Sequence, residues 1–126
     1  MSVPADLKFL PTHEWHRVEG GTVTIGISQF AADELTDVTF VALPKIGTVL
    51  AAGARFGEIE SVKATSDLYA GVAGTVTAVN DALATDPSAV NADPYQSGWM
   101  VKLTLANPAD VDGLLDAEAY LKKSGH

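Results

Sequence analysis

Cysteine is absent from the 126-residue chain. Disulfides, thiolate metal ligands and cysteine nucleophiles are therefore excluded, and any thiol chemistry must arrive on an attached cofactor. The chain also contains no apolar run that approaches the roughly 20 residues of a membrane-spanning helix. We therefore expect no membrane partner.

Basic residues are scarce as well. Eight Lys and Arg face 16 Asp and Glu, which gives a formal net charge of −8. A surface of this sign repels the phosphate backbone, so we expect no nucleic-acid partner. The acidic surface is equally consistent with simple solubility and with docking onto basic patches of other proteins.

The sequence lacks the motifs of a self-contained active site. There is no Gly-rich phosphate loop and no nucleophile elbow. His13, Glu14 and His16 lie close together, but the two histidines point to opposite faces if the segment is extended. Their spacing also differs from the helical zinc motif. We predict no metal site and no catalytic residues.

The length and apolar content predict one folded unit. Hydrophobic residues make up 47% of the chain, and a chain of this size buries enough surface for one core. We expect a single domain spanning residues 1–126. Residues 1–8 resemble neither a secretory signal nor a transit peptide, which predicts a cytoplasmic protein, or a mitochondrial one only if a transit peptide has been removed.

The segment from Phe56 to Val79 has the pattern of a strand, a turn and a second strand. Small polar residues surround Lys63, which we predict at the exposed tip of a hairpin. Before the turn, the apolar phase is out of register by one residue, which a bulge near Gly57 would correct. After it, one strand is expected with a single buried face: Leu68, Ala70, Val72, Val76 and Ala78.

The rest of the chain predicts a mainly β fold with short helices, of the α+β class. Alternation from Thr22 to Ile27 predicts the second strand of a hairpin. Ser28 is a candidate N-cap for a short helix with Phe30, Ala31 and Leu35 inward. A strand is expected from Trp99 to Leu105, and a C-terminal helical region from Asn107-Pro108 to Lys122-Lys123, its apolar residues being Val111, Leu114, Leu115 and Ala119.

Two further features shape the prediction. Turn-forming residues dominate between Asn80 and Ser97, which predicts a long loop with one helical turn near Pro87. The five residues from Gly47 to Ala51 are echoed by those from Gly74 to Ala78, on the opposite side of Lys63.

Glu60-Ser61-Val62-Lys63-Ala64, with Asp67 and Gly74 after it, resembles the lipoyl-attachment segment of the glycine cleavage system H protein family. Other segments resemble that family in the same order: His13–Trp15, Val23–Ile27, Phe40–Pro44, Asn91–Tyr95, Gly98–Trp99 and Leu114–Tyr120. The resemblance covers nearly the whole chain.

The resemblance implies a flattened β-barrel or sandwich of the biotinyl/lipoyl-carrier type, a barrel-sandwich hybrid. In that fold two similar half-units pack about a pseudo-twofold axis, the attachment lysine stands at a hairpin tip, and a helix ends the chain. It further implies that lipoic acid is attached covalently to Lys63 as N6-lipoyllysine. Glu60 and Gly74 resemble the residues that help the ligase recognise the site. Thr12, Glu14 and Asp67 resemble the residues of the family's arm-binding cleft.

The implied function is a non-catalytic, monomeric carrier of the glycine cleavage system. It would shuttle the aminomethyl group of glycine between a pyridoxal-phosphate decarboxylase and a tetrahydrofolate-dependent aminomethyltransferase. An FAD-containing dihydrolipoyl dehydrogenase would then reoxidise the arm. A lipoate ligase or the enzymes of lipoyl synthesis would be further partners.

The sequence departs from the family pattern at three positions. Ala42 replaces a common Glu, which removes a surface charge, and weaker docking onto one partner is an expectation that follows. Thr36 stands where Gly is common, and Gly71 where Pro often follows Tyr-Ala.

Several alternatives remain open from the sequence. An H-like protein that relays lipoate to other acceptors would carry the same motif. A 2-oxoacid dehydrogenase lipoyl domain is shorter and favours Asp-Lys-Ala, whereas a biotinyl domain favours Met on both sides of the lysine. An unmodified interaction domain would keep Lys63 as a free amine, and an enzyme would turn over without partners.

Overall fold

The computed structural model describes residue 4 and residues 6–123. Within these residues, nine strands form two antiparallel sheets, and four short α-helices and one 3₁₀ helix connect or cover them. Neither sheet closes on itself, so the mainly β fold with short helices is confirmed as an open sandwich. The strands are β1 Lys8–Phe9, β2 Glu14–Glu19, β3 Thr22–Ile27, β4 Val38–Ala42, β5 Val49–Leu50, β6 Arg55–Ser61, β7 Thr65–Tyr69, β8 Gly74–Val79 and β9 Val101–Leu105.

The larger sheet has six strands in the order β1-β2-β3-β9-β8-β5. Strands β2 and β3 form the predicted hairpin, whose last pair is Glu19 with Thr22. Alternation places Val23, Ile25 and Ile27 in the main hydrophobic core, where each is almost fully buried. This face fixes the register, since a slip of one residue would move these side chains to the opposite face of the sheet, where Thr24 and Gly26 lie.

The smaller sheet has the order β4-β6-β7, so β7 is an edge strand. Strands β6 and β7 form the predicted hairpin around Lys63, and Glu60 pairs with Thr65 next to the turn. The register shifts between Arg55 and Gly57. The predicted bulge near Gly57 is therefore confirmed.

The prediction of one continuous strand after the turn is wrong. The chain leaves the smaller sheet after Tyr69 and enters the larger one at Gly74, so β7 and β8 belong to different sheets. Leu68, Val72 and Val76 are nevertheless all buried. The alternation of apolar residues shows which side chains face the core between the two sheets. It does not show which sheet a strand joins.

The two echoed segments lie side by side. Strand β5 pairs with β8, with Val49 opposite Thr75 and Leu50 opposite Gly74. The internal echo therefore corresponds to one antiparallel contact at the edge of the larger sheet.

The helices are α1 Gln29–Leu35, α2 Ala82–Thr85, α3 Ala89–Ala92 and α4 Ala117–Lys123, and the 3₁₀ helix is Pro108–Gly113. The Ser28 side chain caps α1 by accepting from the Ala31 N–H at 3.2 Å, as predicted. Of the three residues expected inward, only Leu35 is buried, while Phe30 and Ala31 are half-buried. They are less buried because this side of α1 borders a cavity.

The C-terminal region packs against the first strand. Asn107 caps the 3₁₀ helix, and Asp116 accepts from the Ala119 N–H at 2.8 Å at the start of α4. The predicted apolar residues of this region are only partly buried; they are Val111, Leu114, Leu115 and Ala119. Tyr120 is the fully buried residue, and its ring stacks on Phe9 with centroids 4.3 Å apart.

The long loop carries two short helices, α2 and α3, rather than one turn. It is held to the larger sheet by the Trp15 indole, which donates to the Pro94 carbonyl at 2.9 Å. No helix within the described part of the chain is long and apolar enough to cross a membrane.

Candidate functional site

Lys63 occupies the middle of a three-residue turn between β6 and β7. The neighbouring Ser61 holds this turn in place. Its backbone N–H donates to the Ala64 carbonyl at 2.8 Å, and its Oγ accepts from the N–H groups of Lys63 and Ala64 at 3.1 and 3.0 Å. A side-chain oxygen that accepts two backbone N–H groups substitutes for strand pairing and stiffens the turn. The lysine is thus exposed on a rigid base.

The tip of the hairpin also contacts the end of α1. The Lys63 Nζ donates to the Glu34 carbonyl at 3.2 Å, and the Val62 N–H donates to the Asp37 carbonyl at 3.1 Å. Carbonyls in the last turn of a helix lack intrahelical partners and favour a cation. The unmodified amine therefore rests against α1.

A cavity of about 300 Å³ opens beside Lys63. We call it the cleft. Its walls are the turn residues 12–14, helix α1, and the side of the hairpin formed by the edge strand β7. The cleft brings together four residues that the sequence singled out, which are Thr12, Glu14, Lys63 and Asp67. Ile59, Leu68 and Leu35 supply an apolar lining.

Glu14 is buried at the base of this cleft. Its Oε1 accepts from the Thr12 hydroxyl at 2.5 Å, and its Oε2 accepts from the Tyr69 N–H at 2.9 Å. Burial raises the pKa of Glu14, while these two hydrogen bonds act in the opposite direction by favouring the carboxylate. No Lys or Arg within the described residues pairs with it.

Asp67 is exposed on β7 at the rim of the cleft. Its Oδ1 accepts from the Arg55 guanidinium at 2.8 Å, and Arg55 also bonds Glu58 at 2.8 Å. These neighbouring carboxylates raise the pKa of Arg55, with Asp67 the main cause. The Asp67 carboxylate therefore already has one cationic partner.

The remaining two predicted residues lie outside the cleft lining. Glu60 is half-buried on β6 and pairs with Phe40 on one side and Thr65 on the other. Gly74 is buried in the larger sheet, at the start of β8. Only Glu60 is near the lysine along the hairpin.

Among the cleft residues that the sequence did not predict are His13, Phe30 and Glu34. The helical spacing predicts Phe30 in the core, because an aromatic residue in the apolar stripe of a helix is usually buried. An extended segment would place His13 and His16 on opposite faces, whereas the φ of His13 is +85°. The Glu34 contact uses a backbone carbonyl, for which a sequence carries no signal.

The two histidines of the early segment have separate environments. His16 is fully buried, and its Nε2 accepts from the Gly71 N–H at 2.9 Å. Among the described residues, no group of three or more His, Asp and Glu side chains is placed to hold a metal ion.

Comparisons with known proteins agree on one family. The sequence model described as Glycine cleavage H-protein matches residues 7–126. The chain is 55% identical over 125 residues to the glycine cleavage system H protein of Opitutus terrae, covering 98% of each chain. It is 51% identical over 127 aligned residues to that of Nitratidesulfovibrio vulgaris, covering both chains fully.

A solved structure gives the same result for the fold. The crystal structure of a glycine cleavage system H protein from Mycobacterium marinum superimposes with a TM-score of 0.90 at 35% sequence identity. The match covers 98% of this chain and 100% of that one.

Proposed function

Because the chain belongs to the glycine cleavage H-protein family, we propose that Lys63 is the residue on which it carries lipoic acid, joined as an amide. Its similarity to glycine cleavage system H proteins supports the role of a lipoyl carrier of that system. One observation supports Lys63 above all others. Lys63 is exposed at the tip of a hydrogen-bonded hairpin turn, and it lines a cavity of about 300 Å³.

The residues of the cleft fit a lipoyl arm. Leu35, Ile59 and Leu68 offer an apolar surface to a short hydrocarbon chain and exclude water from it. When bound, the dithiolane supplies the thiol chemistry that a chain without cysteine lacks, and it carries the aminomethyl group of glycine.

We propose that Thr12, Glu14 and Asp67 bind the amine end of this cargo. Glu14 is a buried carboxylate without a Lys or Arg partner in the described part of the chain, so a protonated amine in the cleft would offset its desolvation. Thr12 orients the Glu14 carboxylate through its hydroxyl, and Asp67 adds a second carboxylate at the rim of the cleft. Charge-assisted hydrogen bonds of this kind are stronger than neutral ones.

Ligase recognition is proposed to use Glu60 directly and Gly74 indirectly. Glu60 lies three positions before the lysine on β6, the strand that leads into the turn. An approaching ligase could contact its carboxylate there. Gly74 acts at a distance by allowing β8 to pair closely with its neighbours.

We further propose the partners that the family resemblance implies. These are a pyridoxal-phosphate glycine decarboxylase, a tetrahydrofolate-dependent aminomethyltransferase, an FAD dihydrolipoyl dehydrogenase, and a lipoate ligase or the enzymes of lipoyl synthesis. The chain itself supplies attachment, orientation and shelter, and performs no reaction alone.

The test is intact-mass spectrometry after incubation with lipoate ligase, ATP and lipoate. Wild type should gain one lipoyl group and Lys63→Ala none, because acylation needs the amine at the hairpin tip. Lys45→Ala is the matched control, since Lys45 is also exposed in a turn, and it should be modified like wild type. An unmodified wild type beside an active ligase would instead favour an interaction domain.

A further inference from the structure

The cleft wall at His13 has an unfavourable backbone conformation. His13 follows the turn that joins β1 to β2, and its N–H donates to the Leu10 carbonyl at 3.0 Å. Its φ of +85° lies in the left-handed region. Turns of this kind normally place Gly or Asn there, because a Cβ crowds the backbone; His is enriched at positive φ relative to most residues but is still uncommon. A histidine at such a position points to a use for its side chain.

The His13 ring is held by a buried hydroxyl from the other end of the chain. His13 Nδ1 and Tyr120 Oη are hydrogen-bonded at 2.6 Å, and Tyr120 Oη is also 2.8 Å from Ser28 Oγ. A phenolic hydroxyl can donate to one partner and accept from the other. Tyr120 therefore satisfies both contacts at once from within α4.

The same network reaches helix α1. Ser28 caps α1 through the Ala31 N–H, and its own N–H donates to the His13 carbonyl at 2.8 Å. Phe30, on the cleft side of α1, has its ring centroid 4.9 Å from that of His13. The hydroxyl of Tyr120 thus connects the two walls of the cleft, which are the turn at His13 and the start of α1.

We propose that His13 and Tyr120 are positioning residues of the cleft. The Tyr120 hydroxyl holds the His13 wall against the start of α1, so that α4 sets how well the cleft shelters the group that Lys63 carries. This inference rests on the attachment of lipoate at Lys63 proposed above. It adds the C-terminal helix to the functional site.

The test replaces Tyr120 by Phe, which keeps the ring stacked on Phe9 and removes only the hydroxyl. The first readout is amide hydrogen exchange in α1 of the unlipoylated protein, which should accelerate at least about fivefold, because both hydrogen bonds of the hydroxyl are lost and the net loss of even one corresponds to about that factor. The second uses the lipoylated protein and a water-soluble phosphine. The phosphine reduces the cyclic disulfide to two thiols and becomes a phosphine oxide with oxygen from water. This reduction should accelerate by a similar factor.

Phe9→Leu is the matched control, because it weakens the same aromatic packing and leaves the hydroxyl in place. Its thermal stability should fall at least as far as that of Tyr120→Phe, while reduction and α1 exchange stay close to wild type. Equal acceleration in both variants, or none in Tyr120→Phe, would overturn the proposal. A wild type that accepts no lipoate would sink the proposed function instead, and the exchange readout would still test the positioning role.

A second pair of variants tests His13. Asn tolerates a positive φ and keeps a polar side chain, whereas Ala keeps neither advantage. His13→Asn should retain most of the shelter against the phosphine, and His13→Ala should lose it. Similar reduction rates in these two variants would contradict a role for the side-chain hydrogen bond.

Discussion

Thr36 follows the end of α1 with φ 60° and ψ −140°, a conformation that suits glycine. Two contacts keep it there. Its N–H donates to the Asp33 carbonyl at 3.2 Å, and its own carbonyl accepts from the Asn91 side-chain amide at 2.5 Å. Thr36, which departs from the Gly that the family resemblance implies at this position, thus lies in a strained conformation.

Thr36→Gly should raise the free energy of unfolding by about 1 kcal/mol, because removing the Cβ relieves strain worth more than the added freedom of the unfolded chain. Urea denaturation with a constant m-value would measure it. Thr36→Ala is the control, since it removes the hydroxyl and keeps the Cβ. An equal gain in both variants would show that the hydroxyl, and not the backbone, is responsible.

Strand pairing in the larger sheet depends on the absence of a side chain at Gly74. Gly74 lies opposite Leu105 on β9 and Leu50 on β5. A Cβ built there would meet the Thr104 carbonyl oxygen at 2.2 Å, which is backbone and cannot move aside cheaply. Gly113 has open space around it and serves as a matched position.

Gly74→Ala should lower the free energy of unfolding by about 2 kcal/mol, as overpacking against backbone does, and Gly113→Ala should change it little. Because Gly74 acts through β8, the folded fraction of Gly74→Ala should still be lipoylated at nearly the wild-type rate. Ligase kinetics measured beside denaturation curves would check this. A fully folded Gly74→Ala that the ligase rejects would mean direct recognition of Gly74.

The strands and turns of this chain follow from its pattern more closely than its sheets do. The Lys63 hairpin, the bulge at Gly57 and the Ser28 cap were all predictable, since each depends on neighbours in sequence. The division of the second strand between two sheets was not, because both segments face one shared core. Pairing between sheets is set by tertiary contacts that local alternation does not record.

Two buried side chains of β2 connect the sheets. Glu14 accepts from the Tyr69 N–H and His16 accepts from the Gly71 N–H, so both hold the segment where the chain passes from β7 towards β8. Burial lowers the pKa of His16 from 6.5 to about 4, and its Nδ1 has no partner within the described residues. The folded protein therefore requires a neutral ring.

Acid should destabilise the fold through His16. Above pH 6.5 the ring is neutral in both states; between 6.5 and about 4 only the unfolded chain takes the proton, so stability falls with pH by up to about 3 kcal/mol. Glu14 partly offsets this loss, because its raised pKa favours proton uptake by the folded state.

Denaturation at several pH values would measure the loss. His16→Gln keeps an acceptor for the Gly71 N–H and cannot titrate, so it should be less stable at pH 7 but lose less stability as the pH falls towards 4. Parallel curves for wild type and His16→Gln would show that other groups cause the acid sensitivity.

The site itself was only partly predictable. The resemblance supplied Lys63, Thr12, Glu14 and Asp67, and the structure places these four around one cavity. Tyr120 contributes from the far end of the chain, and that contact depends on how α4 packs against β1. Tyr120 and His13 are 107 positions apart in the sequence, so no local pattern connects them.

Within the described residues β7 is an edge strand that lines part of the cleft, and such edges invite a second chain to add a strand. Glu14 already accepts the Tyr69 N–H at that edge, and the charges of Asp67 and Arg55 lie on the same strand pair. An incoming strand would have to displace a buried carboxylate and pass two charged side chains. We therefore expect these groups, which include Glu14 and Asp67 of the cleft, to disfavour edge-to-edge aggregation.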